Sequence, residues 1–308
     1  MRIGIDLGGT KMESIVLDGQ GDIVARNRVP TPSSYSACLD ELVKIVDTLE
    51  SEAGTVCTVG VGMPGSLSPD SGKVMNSNNT PLDNQHFDTD LGERLNREIR
   101  LANDANCFAL SEAVDGAGAG EDVVVGIILG TGAGAGIVVH KKVLVGVNAI
   151  AGEWGHNPLP WPREHEFFGP ACYCGQKGCI EMYLAGPGLR QQHHKATGAF
   201  FRATDIAAQA REGREEALTT MENFQDRLAR SVATMVNFLD PNVIVFGGGV
   251  SKIKEIYEEL PTRLRQYVFS DRVRTRVLPS KHGDASGVRG AAWLWSEEEH
   301  AQGLPRGT

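Results

Sequence analysis

No stretch of this sequence reaches the roughly 20 consecutive apolar residues needed to span a bilayer, and Asp6 falls where a secretory signal keeps its apolar centre. Both absences point to a cytoplasmic protein. Positive charge is also scarce, with 30 Lys and Arg against 39 Asp and Glu and a net charge of −9. Without a concentrated basic field, nucleic acid and anionic membranes are poor partners. The sequence lacks a Walker P-loop as well: Gly4 and Gly9 have its spacing, but Thr10-Lys11 stand in the reverse order and a second apolar strand pattern follows. Cysteine is sparse, six in 308 residues. What is there is an ordinary globular composition, 41% hydrophobic and 22% charged, long enough for two domains.

One internal echo organises the chain. Gly4-Ile5-Asp6-Leu7-Gly8-Gly9-Thr10 runs into Ile15-Val16-Leu17, and Gly126-Ile127-Ile128-Leu129-Gly130-Thr131-Gly132 runs into Ile137-Val138-Val139 without a gap. Short β-branched runs flank the glycines on both sides, the pattern of an antiparallel hairpin rather than of a strand-to-helix nucleotide fingerprint. Two such copies predict two related domains. The apolar spacing predicts a helix over Ala37–Glu52, a strand over Thr58–Gly62, a helix over Leu91–Glu98, a strand over Ile99–Ala102 and a helix over Ala105–Val114. The glycine-rich 116–120 run is a candidate hinge, Gln225–Leu239 a long helix, Asn242–Phe246 a strand, and the tail after Trp295 polar. Strands alternating with helices predict an α/β fold.

The glycine turns are where chemistry enters. Phosphate binding needs backbone N–H groups that side chains do not obstruct, and Gly8-Gly9-Thr10-Lys11 and Thr131-Gly132-Ala133-Gly134 both offer them. The copies differ at one position: Asp6 in the first corresponds to Ile128 in the second. An acid near the end of a buried strand is costly unless something pairs with it. A Mg²⁺ ion, held directly or through water, fits that need, and a hydrogen-bonded structural Asp is the alternative. Asp104 stands between a predicted strand and a predicted helix, which is also where an N-cap sits. Cys172, Cys174 and Cys179 cluster within eight positions, which in a reducing compartment means metal more often than disulfide. Cys38, Cys57 and Cys107 are scattered among apolar neighbours, as packed thiols are.

Asp6-Leu7-Gly8-Gly9-Thr10-Lys11, Gly62-Met63-Pro64-Gly65, Asn103-Asp104-Ala105-Asn106, Gly130-Thr131-Gly132, Gly152-Glu153-Trp154-Gly155-His156, Cys172-Tyr173-Cys174-Gly175-Gln176-Lys177-Gly178-Cys179-Ile180-Glu181 and Gly247-Gly248-Gly249 follow one another in order. Together they closely resemble the ROK sugar kinases, from residue 3 to about residue 295. The resemblance implies two ribonuclease-H-like α/β domains of the actin, Hsp70 and hexokinase superfamily, with a cleft between them and a structural zinc loop. The division expected is 1–116, joined by a C-terminal helix over 286–296, then 117–285, then a polar tail over 297–308.

The resemblance also implies roles. Asp104 is the general base that accepts the sugar hydroxyl's proton. Gly65, Asn79, Asn103, Glu153, His156 and Glu181 bind the hexose. Asp6, Gly8, Gly9, Thr10, Lys11, Thr131, Gly132, Ala133, Gly134, Gly247, Gly248 and Gly249 bind Mg-ATP, with Gly283 and Asp284 weaker candidates. His156 joins the three thiolates as the fourth ligand of a closed Zn²⁺ site with no open position for catalysis, and its two ring nitrogens divide zinc from sugar. Trp154 is read as a packing residue. A homodimer is expected. Fructose is the first expected substrate, phosphorylated at the 6-hydroxyl, with N-acetylglucosamine, glucose and mannose as alternatives. The family also contains sugar-responsive repressors, but the phosphate hairpin begins at Ile3 and leaves no room for a DNA-reading domain before it. A non-catalytic sugar sensor is the remaining alternative of another class.

Overall fold

The structure, a computed structural model, describes residues 1–77, 80–296, 298–300 and 304. Two five-stranded mixed sheets carry the fold. In the first, β1 (Arg2–Leu7), β2 (Lys11–Leu17), β3 (Ile23–Pro30), β4 (Thr58–Met63) and β7 (Ile99–Asn103) lie in the order β3-β2-β1-β4-β7. In the second, β8 (Val123–Leu129), β9 (Ala133–Val139), β10 (Lys142–Val143), β11 (Val243–Gly247) and β12 (Arg276–Pro279) lie in the order β10-β9-β8-β11-β12. Each sheet is three consecutive antiparallel strands extended by two parallel ones. The sequence echo is therefore a repeated topology. A small ribbon of β5 (Ser66–Leu67) and β6 (Val74–Met75) follows β4.

Helix α1 (Tyr35–Ala53) starts at Ser34, whose hydroxyl accepts from the Ala37 N–H, and stops at Gly54 with φ 66°. Its buried face, Cys38, Leu39, Leu42, Ile45, Val46 and Leu49, recurs at helical spacing and packs in the core of the first sheet. Helix α2 (Phe87–Leu95) corrects the expected Leu91–Glu98: Asn96 adopts φ 51° and turns the chain, and Arg97 then folds back onto Glu50 and the Cys57 carbonyl. The second core is built by α4 (Glu181–Leu184), α5 (Gly186–Thr197), α6 (Ala203–Arg211), α7 (Glu215–Leu239) and α8 (Glu255–Arg263). Helix α7 begins ten residues before the expected Gln225, because its first turns bury Ala217, Thr220 and Met221 rather than a conspicuous apolar stripe.

The two sheets are joined by exchanged helices. Helix α3 (Asp104–Val114) leaves β7 of the first sheet yet packs on β8 and β9 of the second; α9 (Ser286–Trp293) leaves the second and packs on β1 and β4 of the first. The repeated glycine of the echo explains how. A Cβ at Gly4 would lie 2.1 Å from the Val288 carbonyl of α9, and one at the matching Gly126 would lie 2.8 Å from Ala109 of α3. Each strand lacks a side chain where its crossing helix rests. The 116–120 run is a packed turn rather than a loose linker, since Glu112, fully buried, accepts from the Ala117 N–H and from Ser286 Oγ at 2.7 Å. Among the described residues no helix is long and apolar enough to cross a membrane.

Candidate active site

In open sheets with parallel strands, ligands are held by the loops beyond the strands' carboxyl ends. Here those ends are the Gly8–Thr10 turn, Gly65, Asn103-Asp104, the Gly130–Gly132 turn and Gly247–Gly249, which are the segments singled out from the sequence. The first turn is closed by Gly8 N–H donating to the Lys11 carbonyl at 3.0 Å and fixed by Thr31 Oγ1 donating to the Gly8 carbonyl at 2.6 Å. Gly9, Thr10 and Lys11 are exposed, and a Cβ at Gly9 would meet nothing, so bare backbone faces outward. Lys11 reaches back to within 3.8 Å of Glu13.

Asp6 is half-buried at the end of β1, and burial pushes its carboxyl up to about 6. The negative charges of Asp104 and Glu13 add to the shift and Lys11 offsets part of it. A carboxylate that burial and two acids disfavour is a ready partner for a cation, and Mg²⁺ is usually held by one or two carboxylates plus substrate phosphates. The start of α9 comes close: a Cβ at Gly287 would lie 3.5 Å from Asp6 Oδ2. Gly283 and Asp284 lie exposed just before it.

The second turn is tied differently. Gly130 N–H donates to the Gly132 carbonyl at 2.9 Å, Ala133 N–H donates to Glu181 Oε2 at 2.9 Å, and the Gly130 carbonyl accepts from Gly186 N–H at 2.8 Å. The triple glycine sits against it. Gly248 has φ 83°, and a Cβ there would lie 2.5 Å from the Leu129 carbonyl, so only glycine lets the β11 turn approach the hairpin this closely. Thr131 and Gly249 are exposed on the resulting surface.

Asp104 is the first residue of α3, while the N-cap is Asn103, whose side chain accepts from Ala105 N–H at 2.8 Å. Asp104 Oδ1 accepts from the same N–H at 2.8 Å. Its carboxyl is open to solvent between the lobes, yet surrounding protein displaces enough water to hold it above the ordinary carboxylate range. Asn103 Nδ2 also reaches the Gly65 carbonyl at 3.4 Å. Glu153, though exposed, is likewise pushed up, first by protein displacing water around it; His156 opposes this and the charges of Asp104 and Glu181 add to it. Four acids from distant points of the chain, Asp6, Asp104, Glu153 and Glu181, thus lie within electrostatic reach around one junction. Asn79 lies outside the described residues.

The donor set of the cysteine loop fits a metal. His156, Cys172, Cys174 and Cys179 place one ligand atom each within 4.8 Å of one another. Cys174 Sγ and Cys179 Sγ are 3.6 Å apart, and Cys172 Sγ and His156 Nδ1 are also 3.6 Å apart. Those separations match the edges, about 3.5–3.8 Å, of a tetrahedron with zinc–ligand bonds of about 2.0–2.3 Å, and are far too long for a disulfide. The loop is stitched to the Glu153 segment: Leu159 N–H donates to the Gly178 carbonyl and Ile180 N–H to the Asn157 carbonyl, both at 2.9 Å. Trp154 is buried there, donating to the Ser231 carbonyl. His156 Nε2 is 2.9 Å from the hydroxyl of Tyr173. Tyr173 has no role in the sequence reading; its position between two clustered cysteines is the available signal.

A cavity of about 750 Å³ lies elsewhere, bounded by the 165–170 loop, α5 and α7, and none of the four acids lines it.

The ROK family model matches residues 2–298. The chain is 39% identical to an N-acetyl-D-glucosamine kinase of Pectobacterium atrosepticum over 300 residues, covering 96% of this chain and 98% of the relative. It is 38% identical to an N-acetyl-D-glucosamine kinase of Vibrio parahaemolyticus, covering 96% and 99%. Among solved structures, the ROK hexokinase of Thermus thermophilus superposes with a TM-score of 0.85 at 29% identity, covering 95% of this chain and 96% of that one. A ROK family glucokinase of Streptomyces griseus in complex with glucose and AMPPNP superposes at 0.75 with 27% identity, covering 95% and 98%. The relatives do not support fructose as first substrate; they favour the N-acetylglucosamine alternative. With a family match over nearly its whole length and a relative 39% identical over 96% of it, the chain belongs to the ROK family.

Proposed function

We propose that this ATP-dependent sugar kinase transfers the terminal phosphoryl group of ATP to the 6-hydroxyl of N-acetylglucosamine, with Asp104 as general base. The observation that carries the reading is the convergence of Asp104 with Asp6 on one side and Glu153 and Glu181 on the other, around the two glycine turns. Asp104 accepts the hydroxyl proton as the oxygen attacks, since an alcohol is too weak an acid to ionise unaided. The turns Gly8–Lys11 and Thr131–Gly134, exposed at Gly9, Thr10, Lys11 and Thr131, cradle the phosphates, and the Gly247–Gly249 turn, exposed at Gly249, lies toward the adenosine. Asp6 faces Mg²⁺, which supplies charge neutralisation at the phosphates when bound. Glu153, Glu181, Asn103 and the Gly65 loop hold sugar hydroxyls, and the sequence motif gives Asn79 the same role. Zinc, when bound by His156 and the three cysteines, pins this loop and takes no part in the chemistry. The lobes, divided near residue 116 and bridged by α3 and α9, close over both substrates.

The choice of sugar follows the relatives' activity, because the motif residues recognise hydroxyls that hexoses share. The test is kcat/KM measured for N-acetylglucosamine, glucose, mannose and fructose with Mg-ATP. N-acetylglucosamine is expected to exceed each of the others by at least about tenfold, the discrimination of a site that hydrogen-bonds one substituent. A higher value for fructose or glucose would reverse the substrate assignment, and turnover of none of them would end the kinase reading.

A further inference from the structure

The fold holds His156 by both ring nitrogens. Nδ1 points into the thiolate cluster, 3.6 Å from Cys172 Sγ, and Nε2 meets the Tyr173 hydroxyl at 2.9 Å with the rings edge to face, centroids 5.1 Å apart. A metal on Nδ1 requires the proton on Nε2, so Nε2–H donates and the Tyr173 oxygen accepts. An outer-shell partner that fixes a metal-bound histidine is normally itself held in place. Tyr173 is not, being 74% exposed, with His156 its one side-chain hydrogen-bond partner among the described residues. Its hydroxyl also lies near enough to Glu181 and Glu153 to feel both carboxylates. A hydroxyl on an exposed, weakly tethered ring thus sits on the outward nitrogen of His156, within electrostatic reach of the two acids proposed to hold sugar.

We propose that the Tyr173 hydroxyl is a built-in stand-in for a substrate hydroxyl: it holds His156 Nε2 before sugar binds and swings outward when a sugar hydroxyl takes its place. This rests on the proposed sugar-site roles of Glu153 and Glu181 and on the resemblance's placing of His156 in the hexose site. Tyr173 is then a positioning residue that keeps the imidazole oriented between turnovers and weakens sugar binding by the bond that must be broken. Phenylalanine keeps the ring and its edge contact while removing the competitor.

The experiment is Tyr173→Phe in the full-length, zinc-loaded enzyme, with N-acetylglucosamine binding measured by calorimetry without ATP, alongside KM, kcat and zinc content. Loss of one competing hydrogen bond is expected to tighten Kd and lower KM by about two- to tenfold, with kcat within about twofold and one zinc per chain retained. An unchanged or weaker Kd overturns the proposal. So does loss of zinc or a large fall in kcat, which would make Tyr173 an ordinary outer-shell support. If the wild-type enzyme binds a different sugar instead, the substrate assignment fails while the comparison is run with that sugar, where equal Kd values still overturn the displacement.

Discussion

Asp104→Asn is expected to lower kcat by about 10²–10⁴-fold while changing sugar Kd little, because Asn keeps a polar group at the start of α3 but cannot accept the proton. The loss should not be mistaken for unfolding. Displacement of water by the surrounding protein holds the Asp104 carboxyl above its ordinary range, so the folded, ligand-free protein binds this proton more tightly than the unfolded chain. Stability from this group therefore falls as pH rises from the ordinary carboxylate range through the raised value, and stays lower above it. Removing the charge should leave the melting temperature at neutral pH unchanged or higher. The base must be ionised to act, so wild-type kcat/KM falls as pH drops through the raised value, and this limb should vanish from the residual activity of the variant. A non-catalytic sugar sensor predicts no measurable turnover to lose. Stopped assays of turnover against pH, with calorimetry of sugar binding, distinguish these outcomes.

The second large effect concerns the cysteine loop. Cys174 is exposed, so Cys174→Ser removes a thiolate ligand without opening a hole in the core. It is expected to abolish retention of one zinc per chain, lower the melting temperature by several degrees and reduce kcat/KM by at least about tenfold, since ligand loss frees the support of a site as well as the metal. The route is structural: Glu181 follows Cys179 by two positions and accepts from Ala133 N–H of the second turn, while the loop's backbone bonds hold the segment that follows Glu153. Metal analysis of the purified variant, with melting and kinetics, checks this. Full activity in a metal-free variant would mean that the four donors merely lie near one another.

Much of this was legible in the sequence, for physical reasons that differ by residue. The two hairpins were readable because glycine at Gly4 and Gly126 is demanded by a helix resting on the strand, so the duplication survives as a pattern. Asp6 was readable as an acid where an apolar residue stands in the other copy. The boundary of α2 was missed because Asn96 ends it through a left-handed backbone that propensity does not announce. The exchange of α3 and α9 between sheets was only half visible, since a helix's destination depends on contacts far away in the chain. Glu112 illustrates the limit: it reads as a surface charge in a helix, yet it is buried and ties the 116–120 turn to the start of α9. The sugar itself was least legible, because the residues that bind hydroxyls common to hexoses carry no record of the substituent at one carbon.

The most direct measurement is a structure of the enzyme with N-acetylglucosamine and a non-hydrolysable ATP analogue. The account predicts the sugar 6-oxygen about 2.6–3.2 Å from the Asp104 carboxylate, in line with the terminal phosphorus, and the phosphates lying between the Gly8–Lys11 and Thr131–Gly134 backbones. A complex in which Asp104 touches no sugar atom, or in which the phosphates rest on neither turn, would contradict it.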